Sequence, residues 1–226
     1  RVAGVTRYRR DRSWRAPGDG RTVLAGSPLR LFRVSAGGAQ VLDDAVVGEQ
    51  PPTEIVTRML DRFVDAGALH PLHDDGPYTT DDVTVVIPVL DETPAPPNGL
   101  RTIVVDDGSA SPVTMGPLGS GRTTVVRLPV NRGPAAARNA GLDQVSTPLV
   151  AFVDADVTTP DGWLDALLPH FADERVALVA PRVRSAPGRG ALAAYEARHS
   201  PLDLGSDPAR IAAGTATSSS YSSPLR

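Results

Sequence analysis

Two pairs of aspartates are the side chains in this sequence best suited to metal or phosphate chemistry. Asp154 and Asp156 form an Asp-x-Asp motif directly after an apolar run. Asp106 and Asp107 also follow an apolar run and precede Gly108. Divalent cations such as Mg²⁺ take oxygen ligands, commonly carboxylates together with substrate phosphates. Each pair alone is equally compatible with an acidic turn without a ligand, because Asp and Gly both favour turns.

A third motif lies between the two acidic pairs. Gly133 and Pro134 form a tight entry to a predicted helix, and the first turn of a helix leaves main-chain N–H groups for an anion. Pro134 suits the first helical position because its fixed φ is already helical. Arg138 and Asn139 add polar donors about one turn further along. The alternative is an alanine-rich packing helix with its arginine in solvent.

The elements that would position these motifs alternate between strands and helices. We predict strands at 83–89, 101–105, 123–128, 148–153 and 176–180, and helices at 134–144 and 160–171. Such uniformly apolar runs are typical of strands covered on both faces, and their alternation with helices indicates a mostly parallel sheet. Ligands bind at the carboxyl ends of such strands. Both acidic pairs should therefore share one sheet edge, where their mutual repulsion favours a bound cation or ligand.

The first part of the chain has a different pattern. Residues 22–34 alternate weakly around a Gly-Ser-Pro turn, which predicts a short strand pair. Ser35 and Thr53 stand at N-cap positions before two helices, and Gly67 is placed to end the second. These elements predict a small α+β domain in which no residue looks catalytic. The second helix carries an apolar stripe at helical spacing, formed by Ile55, Met59 and Phe63 with Val56, Leu60 and Val64 between them.

The flanks of this front domain are polar. Arginines are frequent in residues 1–20 and could bind anions, but a solvated, partly disordered and flexible arm is the favoured interpretation. His70 and His73 stand in a stretch with the composition of a linker. They could pair on a metal, but no third ligand lies near them in the sequence. Solvated linker histidines are therefore the favoured interpretation.

The overall composition excludes several function classes. The 226 residues carry a formal net charge of −3, which gives no electrostatic reason to expect a nucleic acid partner. There is no cysteine, so disulfides, thiolate nucleophiles and zinc–thiolate sites are excluded. No apolar run approaches the ~20 residues of a transmembrane helix, and no signal peptide is visible. The composition is compatible with a cytoplasmic or membrane-peripheral protein.

Four motifs, taken in chain order, resemble those of the family 2 glycosyltransferases. They are Val-Val-Ile-Pro-Val from residue 85, Val-Val-Asp-Asp-Gly-Ser from 104, Asn-Arg-Gly-Pro-Ala-Ala-Ala-Arg-Asn-Ala-Gly from 131, and Phe-Val-Asp-Ala-Asp from 152. The resemblance implies an α/β GT-A fold with a mostly parallel, Rossmann-like sheet, incomplete in this chain. It also implies a nucleoside diphosphate sugar donor, Mg²⁺ or Mn²⁺, and inverting displacement at the anomeric carbon.

The same resemblance implies roles for individual residues. In the family a carboxylate from the second half of the domain deprotonates the acceptor hydroxyl, and no residue of this chain is assigned that role. The implied donor and metal contacts are Pro88 and Asp91 at the nucleoside, Asp106 or Asp107 on the base N–H, Asn131 and Arg138 near the nucleotide, Asp154 near the ribose, and Asp154 and Asp156 on the metal.

The front domain and the segment Ala-Tyr-Glu-Ala-Arg-His-Ser-Pro-Leu-Asp-Leu-Gly from residue 194 narrow the resemblance to the glycosyltransferases of mycofactocin biosynthesis. That group implies transfer of a hexose, expected to be glucose from UDP-glucose, to a peptide-derived cofactor. The front domain would then resemble a winged-helix peptide-recognition domain, with the precursor peptide as a candidate partner. The expected divisions are an arm at 1–20, a winged-helix-like domain at 21–79, a donor-binding domain at 82–210 and a disordered tail at 211–226.

Two features depart from the family pattern. The connection at 90–100 holds three prolines and is at the lower limit for a parallel crossover, which needs about a dozen residues. The Ser/Thr-rich end of the sequence predicts disorder and indicates truncation or a change of frame. Glu196 and Asp203 are the late acids nearby, and neither is favoured as the base. A non-catalytic remnant that binds nucleotide sugar or peptide without turnover is therefore the alternative to an enzyme.

Overall fold

A computed structural model describes residues 6–49, 53–115, 122–186, 188–200 and 203 of the chain. The chain forms two compact units, one of Arg1–Asp74 with Pro181–Arg226 and the other of Asp75–Ala180. The division falls before the predicted one at 79–82. The described residues from 181 onward group with the first unit, and the donor-binding domain at 82–210 stays a prediction. The predicted tail at 211–226 lies outside the described residues.

The first unit begins with strands and helices in the predicted order. The hairpin expected at 22–34 and both helices are confirmed, because β2 pairs antiparallel with β3 and two helices follow. A second antiparallel pair joins β1 to β4. The elements are β1 (Arg7–Arg10), β2 (Thr22–Ala25), β3 (Arg30–Arg33), α1 (Ala36–Val47), α2 (Glu54–Asp65) and β4 (Leu69–Leu72).

Both helices of this unit begin at the predicted caps. The Ser35 hydroxyl accepts the N–H of Gly38 at 3.1 Å, and the Thr53 hydroxyl accepts the N–H of Val56 at 3.4 Å. Gly67, the residue after the C-cap Ala66 of α2, takes a left-handed φ of +67°, where a residue without a Cβ is favoured. These caps satisfy N–H groups that a helix cannot satisfy internally.

The apolar stripe of α2 is only partly as predicted. Leu60, Phe63 and Val64 are buried in the core of this unit, and Met59 packs against it. Ile55 is 80% exposed, so its predicted place in the stripe is wrong. It lies in the first turn of α2, outside the turns that supply the buried residues.

Part of the segment expected to be a flexible arm is ordered. Strand β1 lies within it, with Arg7 paired in register to Leu72 of β4. The guanidinium of Arg10 lies 5.1 Å from the centre of the Trp14 ring and pairs with Asp43. Short strands with polar side chains give no clear apolar alternation, which explains why the sequence pattern did not reveal β1.

His70 is not a solvated linker histidine. It lies in β4, is buried, and its Nε2 is 3.0 Å from Oδ2 of Asp11. Burial alone would raise the pKa of Asp11, but hydrogen bonds from Ser13 and His70 outweigh burial and lower it to about 2. The linker interpretation failed because the partner of this histidine is 59 residues away in the sequence.

The second unit contains a four-stranded sheet in the order β7-β6-β5-β8. All of its neighbouring strands are parallel, so their carboxyl ends share one edge. Four of the predicted strands and the predicted helix after Gly133 are confirmed. The elements are β5 (Val83–Val89), β6 (Arg101–Asp106), β7 (Thr123–Arg127), α3 (Pro134–Leu142) and β8 (Leu149–Phe152).

Helix α3 packs closely against the two central strands at Gly141. A Cβ added to this glycine would lie 2.5 Å from Cγ1 of Val86 and 3.0 Å from Cγ2 of Val105. Both valines are fully buried. The glycine therefore sets the distance between the helix and the sheet.

Two predicted elements of this unit are absent. Residues 160–171 form turns and a short 3₁₀ segment, Leu168–Ala172, instead of an α-helix. Gly162 has a left-handed φ of +70°, and Pro169 cannot donate a main-chain hydrogen bond, so both interrupt an α-helix. Residues 176–180 pair with no strand in the described part of the chain, and Leu178 is 82% exposed.

The remaining helix, α4 (Ala191–His199), belongs to the first unit. Among the described residues, no helix is long and apolar enough to cross a membrane.

Gly141→Ala should destabilise the second unit by about 1–3 kcal/mol, because the added methyl group overpacks a filled contact. Urea denaturation followed by tryptophan fluorescence measures the change. Gly37→Ala in α1 is the control, since the nearest atom to its Cβ is 4.0 Å away. This variant should be neutral or gain about 0.5–1 kcal/mol from its better helix propensity. Equal stability of Gly141→Ala and wild type would contradict the close contact.

Candidate functional site

The carboxyl edge of the parallel sheet collects the residues that the sequence singles out. Strand β5 lies between β6 and β8, so the two acidic pairs that follow β6 and β8 flank its end. Pro88 is half-buried near the end of β5, in register with Val105. The N-terminus of α3 follows the neighbouring strand β7. The expectation of one shared edge is confirmed.

The carboxylate of Asp106 is buried and bonded to the surrounding protein, so it is not exposed to a ligand. Its exposed fraction is 0%. Oδ1 accepts the N–H of Ser109 at 2.8 Å, and Oδ2 accepts the N–H of Val113 at 3.1 Å. The guanidinium of Arg127 pairs with the same Oδ2 at 2.5 Å. Asp106 therefore has no open face for a nucleobase, and Asp107, of which 4% is exposed, is almost as buried.

The environment of Asp106 keeps its carboxylate charged. Burial alone would raise its pKa. The hydroxyl and N–H of Ser109, the N–H of Val113 and the guanidinium of Arg127 outweigh burial and lower the pKa to about 2. Hydrogen bonds to the charged form favour that form.

Asp107 joins the sheet edge to the entry of α3. Its Oδ1 accepts the N–H of Arg132 at 2.8 Å, and its Oδ2 accepts the N–H of Gly133 at 2.7 Å. Oδ1 of Asn131 accepts the same glycine N–H at 2.9 Å. Gly108 packs against this segment so closely that a Cβ would lie 2.6 Å from the main-chain N of Asn131. Asp107 and Asn131 thus fix the loop that leads into the helix.

Asp91 bridges the loops after β5 and β6. Its N–H donates to the hydroxyl of Ser109 at 2.9 Å, and its Oδ1 accepts the N–H of Ala110 at 2.7 Å. Its φ of +54° is left-handed, which is costly for a residue other than glycine and indicates a position held by its surroundings. Beside it is an open cleft of about 330 Å³, lined by residues 91–93 and 110–114.

Arg138 and Asp154 meet at the same edge. The guanidinium of Arg138 lies 2.5 Å from Oδ1 of Asp154. Asp156, two residues further on, is exposed and makes no side-chain hydrogen bond or ion pair with the described residues. The first carboxylate of the Asp-x-Asp motif is therefore partnered and the second is open to a ligand.

Within the part of the chain that the structure describes, the two aspartates of the Asp-x-Asp motif are not joined by a third possible metal ligand. In the described ranges, no group of three or more acidic or histidine side chains is placed to hold a metal ion. Of the late acids, Asp203 holds the guanidinium of Arg182 through both oxygens at 2.6 and 2.8 Å. Any cation at Asp154 and Asp156 would therefore need further oxygen ligands from a substrate.

Sequence reasoning missed Arg127 and the hydroxyl of Ser109. Arg127 belongs to none of the four motifs, and Ser109 ends the second motif without being assigned a contact. The signal available was the parallel register, because Arg127 is the Cα partner of Asp106 across β6 and β7. An arginine placed beside a buried aspartate at a strand end could have been inferred once the sheet order was known.

Comparison with known proteins agrees with this arrangement. The model of glycosyl transferase family 2 matches residues 84–210. The chain belongs to the family 2 glycosyltransferases. The matched region contains all four motifs, the carboxyl edge of the sheet and helix α3.

Individual relatives place the chain within the family. A pre-mycofactocin glycosyltransferase of Mycobacterium tuberculosis is 43% identical over 210 residues, which cover 89% of this chain and 44% of the relative. The succinoglycan biosynthesis protein ExoU of Rhizobium meliloti is 38% identical over 104 residues, or 42% of this chain and 30% of that protein. The chain thus spans less than half the length of the curated relatives that it matches.

The pKa of Asp106 predicts an acid-dependent stability. Its folded value of about 2 lies below the unfolded value, so its stabilising contribution is present above about pH 4 and is lost as the pH falls towards 2. Between pH 4.5 and 2.5, Asp106→Asn should therefore lose about 1.5 kcal/mol less stability than wild type. Urea denaturation at the two pH values measures this.

Asp143→Asn is the matched control, because this aspartate is exposed and makes no side-chain hydrogen bond in the described structure. It should follow the wild-type pH dependence. An identical pH dependence of Asp106→Asn and wild type would contradict a carboxylate stabilised in its charged form.

Proposed function

We propose that the second unit binds a nucleoside diphosphate sugar at the carboxyl edge of its sheet. The observation that carries this is the open carboxylate of Asp156 beside the Arg138–Asp154 pair, at the edge where α3 begins. A carboxylate that can hold a cation, a guanidinium and the N–H groups of a helix N-terminus together suit a diphosphate with a bound cation. The family membership supports a sugar nucleotide as the source of that diphosphate.

The nucleoside fits the cleft between the loops after β5 and β6. Its lining includes Asp91 and Glu92 on one side and residues 110–114 on the other. Ribose and base present hydroxyl and N–H donors, which such acceptor groups recognise. Asp107 and Pro88 lie at the same edge, and we retain them as candidates for the contact with the base. Asp107 would make that contact with oxygens that already accept the N–H groups of Arg132 and Gly133.

The diphosphate fits between α3 and the end of β8. Pro134 lacks an N–H, and the N–H groups of Ala135 and Ala136 find no acceptor among the described residues. Helix N-termini with free N–H groups attract phosphate. Arg138, on the same helix, adds a guanidinium, the side chain best shaped for phosphate oxygens.

The donor set at Asp154 and Asp156 fits Mg²⁺ or Mn²⁺. Both carboxylates supply hard oxygen ligands, and Mg²⁺ usually binds one or two carboxylates plus substrate phosphates. A cation held there would stabilise the negative charge of the leaving diphosphate. Arg138 partly compensates the negative charge of Asp154 by pairing with it, which leaves Asp156 as the principal protein ligand.

The reaction we propose is inverting transfer of a hexose to a peptide-derived cofactor of the mycofactocin type. Glucose is the first candidate for the hexose. The support is the identity to the M. tuberculosis pre-mycofactocin glycosyltransferase. An acceptor hydroxyl must lose a proton to a base within hydrogen-bond reach. We assign that base to no residue of this chain.

A second proposal concerns the front unit, which we interpret as a winged-helix-like domain that binds the precursor peptide as an added strand. Leu24 of β2 exchanges both main-chain hydrogen bonds with Arg15, at 2.8 Å each. Its neighbour across the hairpin, Leu31, must therefore direct its own N–H and C=O away from β2. The main-chain N–H and C=O of Arg33 also point away from β2, because their direction alternates along a strand and residues two apart share it.

Within the described part of the chain, the outer edge of β3 is thus open to an extended peptide. Leu31 is 63% exposed, and Arg30 and Arg33 are exposed beside it. Strand addition obtains affinity from main-chain hydrogen bonds and specificity from side chains such as these. The arginines favour an acidic peptide segment.

UDP should bind this chain about tenfold more tightly with Mn²⁺ than with EDTA, because the cation links the diphosphate to the aspartates. Asp156→Ala should remove that difference. Isothermal titration calorimetry measures both affinities. The control is Asp161→Ala, which changes another exposed aspartate without a side-chain partner in the described structure and should keep the metal effect. Equal UDP affinity of the wild type with and without metal would overturn the assignment.

For the front unit, Leu31→Pro should abolish binding of the precursor peptide, because proline removes an N–H that faces the open edge. Leu31→Ala keeps that N–H and should weaken binding only a few-fold through lost apolar contact. Fluorescence anisotropy of a labelled peptide added to the full chain measures both. Wild-type affinity in Leu31→Pro would place the peptide elsewhere.

A further inference from the structure

Arg127 joins two groups of the loop that follows β6. Its Nη1 pairs with Oδ2 of Asp106 at 2.5 Å, and its Nη2 donates to the main-chain oxygen of Ser109 at 2.8 Å. The parallel register brings the two residues together, since Asp106 and Arg127 are Cα partners. Arg127 is 37% exposed, whereas Asp106 is fully buried. One planar side chain thus reaches from the sheet to the loop.

Asp106 closes the same loop from inside. It accepts N–H groups from both Ser109 and Val113, so residues 109–113 fold around its carboxylate. These residues form most of one wall of the cleft described above. The position of that wall depends on the carboxylate, and the carboxylate is compensated by Arg127.

The opposite wall is connected to this network through Ser109. The Ser109 hydroxyl accepts the N–H of Asp91, and the Asp91 carboxylate accepts the N–H of Ala110. Asp91 needs this support because its left-handed φ of +54° is unfavourable for an aspartate. Loosening Ser109 would therefore release both walls of the cleft together.

We propose that Arg127 is a positioning residue for donor binding, which holds the two loops of the nucleoside cleft in register through Asp106 and Ser109. This proposal rests on the proposed function of that cleft. Arg127 itself lies outside the residues that line the cleft, so it acts through its neighbours. Lysine cannot replace it, because a single ammonium group lacks the planar fork that serves two acceptors at once.

The chain offers a matched control at the other end of β7. Arg122 also joins a carboxylate to a main-chain oxygen, with Nη1 2.9 Å from Asp81 and 3.3 Å from the oxygen of Gly99. It stands just before β7, at the sheet edge opposite the cleft. Arg122→Gln therefore removes a similar pair of contacts away from the proposed site.

The test combines UDP titration with amide hydrogen exchange on the full chain. Arg127→Gln should weaken UDP binding about tenfold, since a charge-assisted bond and a carbonyl partner are lost. Exchange at the amides of Ser109, Ala110 and Val113 should become about tenfold faster. Arg127→Lys should keep the charge beside Asp106 and the fold, yet weaken UDP binding several-fold. Arg122→Gln should leave both measurements within about twofold of wild type.

Two results would overturn the proposal. One is wild-type UDP affinity in Arg127→Gln and Arg127→Lys, and the other is an equal loss in Arg122→Gln, which would indicate general destabilisation. If the wild type fails to bind UDP, the proposed function of the cleft fails instead. The exchange rates then still decide whether Arg127 holds the loop, because they require no ligand.

Discussion

The arrangement of the site depends on one buried negative charge. A carboxylate removed from water costs several kcal/mol unless charges and donors compensate it. Asp106 meets that condition with main-chain donors on two sides and a guanidinium on the third. Because two of these donors belong to the loop after β6 and the third to the end of β7, compensating the charge also determines how that loop folds.

Asp107, the neighbour of Asp106, fixes the position of helix α3 in a similar way. Asp107 accepts two consecutive N–H groups at the entry of α3, so the start of the helix is fixed relative to the end of β6. Two adjacent aspartates therefore have separate tasks, one in the loop that lines the cleft and one at the helix N-terminus. The open charge at the edge is left to Asp156, whose neighbour Asp154 is already paired with Arg138.

The central part of the fold could be predicted because its sequence signals are local. The apolar runs of β5 and β6 and the Gly-Pro entry to α3 each determine one element, and their alternation implies parallel pairing. The ordered β1, the buried His70 and the ion pair of Arg127 could not be predicted, because each depends on a partner far away in the chain. The helix expected at 160–171 failed for the opposite reason, since apolar spacing was given more weight than Gly162 and Pro169.

Helix α3 is held at both ends. Its entry is tied to Asp107, and its penultimate residue, Gly141, rests against Val86 and Val105 without room for a methyl group. A helix of nine residues is about 14 Å long, and it has little freedom to slide when both ends are fixed. Any larger side chain at position 141 would tilt helix α3 or push it away from the sheet. The size limit at Gly141 is thus also a limit on where the helix can present the N–H groups of its first turn, roughly 7–9 Å away along the helix axis.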